Sequence, residues 1–127
     1  MKKILLVEDD QFLITVYKVK LKQMGYDVTF LTDGSEVLKT AIETKPDLIM
    51  LDIVMPIKDG FQVMRELKEN SETKDIPVMV LTNLNGENDK KTLLDLGAVL
   101  FIVKSSYSFL EVSNMIKEVL SDGPVVK

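Results

Sequence analysis

Apolar residues along this chain fall into two alternating patterns. Short, nearly unbroken runs occur at Ile4-Leu5-Leu6-Val7, Val28-Thr29-Phe30-Leu31, Leu48-Ile49-Met50-Leu51, Ile76-Pro77-Val78-Met79-Val80-Leu81 and Val99-Leu100-Phe101-Ile102-Val103. Runs of this length bounded by turn residues suit strands covered on both faces, as in parallel sheets, and Pro77 is tolerated because it stands near a strand's beginning. Between the runs, apolar residues recur at helical spacing. Leu13, Val16, Tyr17, Leu21 and Met24 predict a helix from Gln11 to Met24, stopped by Gly25. Val37, Leu38, Ala41 and Ile42 supply the buried face of a second helix, capped by Asp33 with Glu36 reaching back and ended before Pro46. Asp59 with Gln62 caps a third, carrying Phe61, Met64 and Leu67 and ending near Glu69 or Asn70, before a polar loop from Ser71 to Asp75. The fourth, from about Asn85 to Leu96, is polar in its first two turns and is expected to pack least firmly. The last runs from Tyr107 to Leu120, followed by a frayed tail from Ser121.

Five alternations of strand and helix predict an α/β fold: a parallel sheet with helices on both faces, joined by right-handed crossovers. All five strands then point the same way. Their carboxyl ends, where such sheets bind ligands, gather Glu8, Asp9, Asp33, Asp52, Thr82 and Lys104 on one edge.

Length and composition narrow what that edge does. The 127 residues fit one domain with a core of its own. With no cysteine and no histidine, thiolate and imidazole metal sites, thiol nucleophiles, Ser-His-Asp catalysis and a phosphohistidine-carrier role are excluded. A net charge of −4 offers no basic footprint for nucleic acid. Met1-Lys2-Lys3 is followed by only four apolar residues before Glu8, too few for a signal peptide or a membrane span, so a cytoplasmic location without membrane insertion is expected.

Each strand-end residue has an ordinary reading when taken alone. Asp52 could only hydrogen-bond the following loop, Glu8-Asp9-Asp10 could be a solvated turn capping the first helix, Thr82 a turn residue and Lys104 a solvated charge. Together they point elsewhere. Two carboxylates about 4 Å apart repel by roughly 4 kcal/mol at an effective dielectric near 20, and a divalent cation relieves that repulsion. Magnesium suits the set because it takes one or more carboxylates, keeps several waters and partners phosphate oxygens. A phosphoryl group on Asp52, with Thr82 donating a hydrogen bond and Lys104 balancing charge, satisfies every member.

The ordered motifs ILLVEDD, DLIMLDIVMP followed by KDG, VLT, and LGA through FIVK resemble the CheY-like receiver domains of response regulators, of the stand-alone type. The resemblance covers essentially the whole chain. It implies a flavodoxin-like, doubly wound (βα)5 fold with strand order 2-1-3-4-5, over residues 1–121, with residues 122–127 a C-terminal tail. It implies that Asp52 accepts a phosphoryl group from a partner histidine kinase or phosphotransfer protein. The resemblance further implies that Glu8 and Asp9 hold magnesium with Asp52 and the backbone carbonyl of Val54, and that Thr82 and Lys104 grip the phosphoryl group. By the same resemblance, Phe101 is the aromatic whose rotamer reports the phosphorylated state. The face of the fourth helix, fifth strand and fifth helix engages a protein target, and the domain is a monomer or a phosphorylation-dependent dimer. The expected output is a protein contact rather than catalytic turnover or DNA binding by this domain.

Three positions depart from the family pattern. Ser105 follows Lys104 where proline with a cis bond is usual; a cis bond before serine costs about 3 kcal/mol, so trans is expected. Asn83 replaces a small residue after Thr82, narrowing access. Val54 and Leu84, at positions that tune phosphoryl loss in the family, are apolar and cannot orient water. Two other classes stand beside the switch. A degenerate, unphosphorylated interaction module draws on Ser105. An aspartyl-nucleophile phosphatase lacks its second acid, since Val54 stands there.

Overall fold

The computed structural model describes residues 1–84 and 86–121. Five strands, β1 (Lys3–Val7), β2 (Asp27–Leu31), β3 (Leu48–Leu51), β4 (Val78–Thr82) and β5 (Leu100–Val103), form one parallel sheet in the order β2-β1-β3-β4-β5. The helices are α1 (Gln11–Gln23), α2 (Val37–Thr44), α3 (Gly60–Glu69), α4 (Glu87–Asp95) and α5 (Phe109–Leu120), with a 3-10 turn at Lys104–Ser106. This is the expected flavodoxin-like α/β architecture. β1 and β3 lie at the centre in register, Val7 opposite Leu51.

The alternation of side chains along each strand divides the interior in two. Leu5, Val7, Ile49, Leu51, Val78 and Val80 pack with α2, α3 and α4 on one face. Ile4, Leu6, Leu48, Met50, Met79, Leu81 and Ile102 pack with α1 and α5 on the other. All four residues of β3 are fully buried, which accounts for a run with no polar position. Full burial of each such side chain is worth about 1.5–3 kcal/mol, so the middle of the sheet is the rigid part of the molecule.

Local chemistry sets the ends of the elements. Asp10 caps α1, its carboxylate accepting from the amides of Phe12 and Leu13. Asp59 caps α3 through the Gln62 amide. The second helix departs from expectation: it begins at Val37 with Glu36 at its cap position and no side-chain cap bond, because the Asp33 carboxylate is engaged by the Ser35 amide and hydroxyl. β4 begins at Val78, leaving Pro77 outside, since proline has no N–H for the ladder; its carbonyl accepts from the Ile49 amide. α5 starts at Phe109, later than expected, because Ser108 and Glu111 form a reciprocal capping box. Ser121 is the C-cap of α5, its amide and hydroxyl donating to the Glu118 carbonyl, and so belongs to the helix end and not to a frayed tail. The expected tail at 122–127 and the start of the fourth helix at Asn85 lie outside the described residues. α4 buries only Leu93, fewer residues than any other helix. Within the loop expected to be polar, Thr73 is buried, its hydroxyl donating to the Leu67 carbonyl at 2.6 Å and closing the end of α3.

Candidate functional site

The carboxyl ends of β1, β3, β4 and β5 open into one cleft of about 390 Å³, lined by Glu8, Asp9, Asp10, Asp52, Val54, Thr82, Asn83, Leu84 and Lys104. Asp52 follows β3 directly and is 5% exposed. One carboxylate oxygen accepts from the Val54 amide at 3.3 Å and the other from Lys104 Nζ at 3.3 Å. Lys104, on the turn after β5, also meets Glu8 at 2.6 Å and so bridges the two acids. Oxygens of Glu8, Asp9 and Asp52 lie within 4.8 Å of one another.

The acidic triplet after β1 divides its labour. Asp10 points into α1 as its cap, and Asp9 is exposed at the cleft. Glu8 is 1% exposed and holds the Asp10 amide at 3.1 Å. Burial drives the Glu8 carboxyl up to about 7, the hydrogen bond from Lys104 opposing it and the nearby Asp52 charge adding to it. Lys104 moves the other way from its own burial, which lowers it: the Glu8 hydrogen bond and charge, with Asp52, hold its ammonium above the ordinary lysine value. One ammonium is thus shared by two of the three clustered carboxylates, Glu8 and Asp52. Carboxylate oxygens grouped in this way are of the type that could hold a hard divalent cation.

Thr82 ends β4 fully buried, its hydroxyl oxygen accepting from the Leu84 amide at 3.3 Å. The Lys104–Ser105 bond is trans, there being no cis bond among the described residues. Asp33, expected on this edge, lies apart from the cleft. It follows the outermost strand, is absent from the cleft lining, and its carboxylate accepts from the Ser35 amide and hydroxyl in its own turn. Phe101 is half-buried against the α2–α3–α4 side of the core and does not line the cleft. Gly60 has a role that the turn pair Asp59-Gly60 did not disclose. A Cβ there would lie 2.6 Å from Ile53 Cα and 2.9 Å from the Asp52 carbonyl oxygen, so α3 rests directly on the backbone that presents Asp52. The signal was the glycine itself, read as a turn former when close approach was what required it.

Comparison with known proteins agrees with this arrangement. Residues 4–117 match the family described as the response regulator receiver domain. The alkaline phosphatase synthesis transcriptional regulatory protein PhoP of Bacillus subtilis is 39% identical over 119 residues, 94% of this chain and 48% of PhoP. The chain therefore spans about half the length of that curated relative. Among solved structures, the non-phosphorylated HemR receiver domain from Leptospira biflexa superposes with TM-score 0.88 at 29% identity, covering 100% of both chains. The receiver domain of a sensor histidine kinase from Pseudomonas aeruginosa, with a magnesium ion coordinated in its active-site cleft, gives TM-score 0.84 at 27% identity, covering 94% of this chain and 97% of that one.

Proposed function

The chain belongs to the response regulator receiver domain family, and from that premise we propose that it is a phosphorylation switch whose acceptor is Asp52. The observation that carries the reading is the placement of Asp52: nearly buried, bonded to Lys104 at 3.3 Å, and grouped with Glu8 and Asp9. A carboxylate oxygen of Asp52 attacks the phosphorus of a phosphohistidine on a sensor kinase or phosphotransfer protein. The new O–P bond forms as the P–N bond breaks, and the imidazole leaves with the electron pair. Glu8, Asp9, Asp52 and the Val54 carbonyl would hold magnesium, which when bound would supply positive charge to the phosphoryl oxygens. Lys104 exchanges its contact with Asp52 for one with the phosphoryl group, and the Thr82 hydroxyl donates to another of its oxygens.

Val54 and Leu84 flank the acceptor and offer no polar atom on their side chains to orient an attacking water. The acyl phosphate therefore decays slowly, and a half-life of seconds with magnesium present would contradict this. The switch then alters the Thr82 loop and the Phe101 ring, and the face made by α4, β5 and α5 passes the change to a protein target or a second copy. α4, which buries fully only Leu93, is the element of that face that moves at least cost. The switching unit spans residues 1–121 and turns over no substrate. Incubation with acetyl phosphate and magnesium, followed by intact mass, tests the proposal. One phosphoryl group is expected on the parent and none on Asp52→Asn; no gain in the parent overturns it, and rapid multiple turnover marks a phosphatase instead.

A further inference from the structure

The loop after the acceptor contains a residue that is costly twice over. Ile57 has φ +73°, and the Lys58 amide donates to the Pro56 carbonyl at 2.8 Å, so Ile57 is the centre of a positive-φ γ-turn. That turn is rare and strained, and a β-branched residue in it is a backbone outlier. The side chain gains nothing from the strain within the domain, for it is 81% exposed. Glycine would adopt this φ freely, and asparagine more readily than isoleucine.

The neighbours show how the strained conformation is held. Met55, on one side, packs against the core of the α2–α3–α4 face. On the other, Lys58 Nζ bonds both carboxylate oxygens of Glu66 on α3, at 2.8 and 3.0 Å. A Cβ at Gly34 would overlap the Lys58 carbonyl oxygen, so the loop after β2 closes directly on this turn. Ile57 is thus a fixed apolar tip between two clamped residues. Three positions earlier in the same loop, Val54 is 59% exposed and lines the cleft above Asp52.

We propose that Ile57 is an anchor for the phosphodonor protein: a preformed apolar knob that docks into an apolar depression beside the donor's phosphohistidine. The inference rests on Asp52 being the acceptor. A macromolecule that brings phosphorus to Asp52 must cover the mouth that Val54 lines, and the exposed Ile57 follows three positions later in the same loop. Strain persists where surrounding structure over-determines it, and clusters where it serves binding. A rigid apolar anchor loses little freedom on docking, which lowers the cost of association. Ile57 is not among the residues that line the cleft, so a small phosphodonor is expected to reach Asp52 without it.

The test separates the two readings. Phosphotransfer is profiled from a panel of histidine-phosphorylated kinase dimerisation domains, and the one that phosphorylates the parent fastest serves as the donor. Ile57→Gly is expected to melt at a higher temperature than the parent, to gain phosphate from acetyl phosphate within twofold of the parent rate, and to show about a tenfold higher KM for the protein donor at unchanged kcat. Ile57→Met, apolar but unbranched at Cβ, keeps the parental KM. An unchanged KM in Ile57→Gly, or an acetyl phosphate rate that falls as far as the protein-donor rate, overturns the anchor while leaving Asp52 as acceptor. Absence of any phosphoryl gain in the parent with acetyl phosphate sinks both.

Discussion

Asp33 and Asp52 look alike along the chain and differ in almost every respect in the fold. Each follows an apolar run and precedes a helix. Asp52 leaves a central strand whose four residues are fully buried, and β1 and β4 on either side bring Glu8 and Thr82 to it. Asp33 leaves the edge strand β2, which carries only partly buried or exposed residues, and its carboxylate is satisfied by Ser35 two positions on. The Ser35 hydroxyl and amide hold Asp33 below its ordinary pKa. The environment of a strand-end acid is therefore set by the neighbours that strand order supplies and not by the acid itself.

The largest effect expected from this contrast is complete. Asp52→Asn abolishes phosphoryl gain from acetyl phosphate by intact mass, whereas Asp33→Asn leaves the rate within about twofold. Equal losses in the two variants would erase the distinction. Next in size is Lys104→Met, which removes the cation shared by Glu8 and Asp52. Loss of one charge-stabilising donor typically costs about a hundredfold in rate, and the stopped-flow rate of phosphorylation is expected to fall accordingly. The Glu8 carboxyl should then titrate above 7, which carbon-detected NMR reads directly.

A third prediction separates the two acids by the sign of their pH dependence. Glu8 titrates near 7 in the fold against 4.5 unfolded, so between those values the native state holds the extra proton. Without metal, its contribution to stability is full below pH 4.5 and is lost as pH rises through 7. Magnesium affinity should rise over the same window, because the cation needs the ionised carboxylate. Asp33, held low, contributes in the opposite sense: its stabilisation is present above about 3.8 and lost as pH falls below its folded value. Melting temperatures between pH 5 and 8 without metal, with Glu8→Gln as the flat control, check the first. Calorimetry of magnesium binding at the same pH values checks the second. The smallest effect belongs to Ser35→Ala, which removes the hydroxyl that holds Asp33. At an exposed turn it should change unfolding free energy by less than about 0.5 kcal/mol in urea titrations and leave phosphorylation untouched.

Much of this molecule was legible before any coordinates. Five apolar runs became five strands within a residue or two; burial on both faces accounts for the unbroken run of β3, whereas the edge strand β2 holds Asp27 and Thr29 and no fully buried residue. Helix ends were less legible where two short-range options competed. Asp33 could cap α2 or close a turn with Ser35, and the nearer hydroxyl won. The Ser108-x-x-Glu111 box was present in the sequence and marks the start of α5 better than the apolar spacing from Tyr107. Thr73, in a polar loop, gave no sign that its hydroxyl would be buried at the end of α3.

What the sequence determined by itself is the list of strand-end groups, because periodicity assigns each residue to a strand, a helix or the turn between them. Tertiary structure alone decided which of them meet. Strand order put β1 beside β3 and left β2 at the rim, so Glu8 and Lys104 converge on Asp52 while Asp33 faces water. Packing decided the rest: the absence of a Cβ at Gly60 lets α3 rest on the backbone of Asp52, and Met55 and Lys58 hold Ile57 in a conformation that its own side chain disfavours. The physical reason is one of range: hydrophobic period and capping act within a turn or two of chain, whereas charge pairing and close backbone approach depend on segments brought together only by the folded sheet.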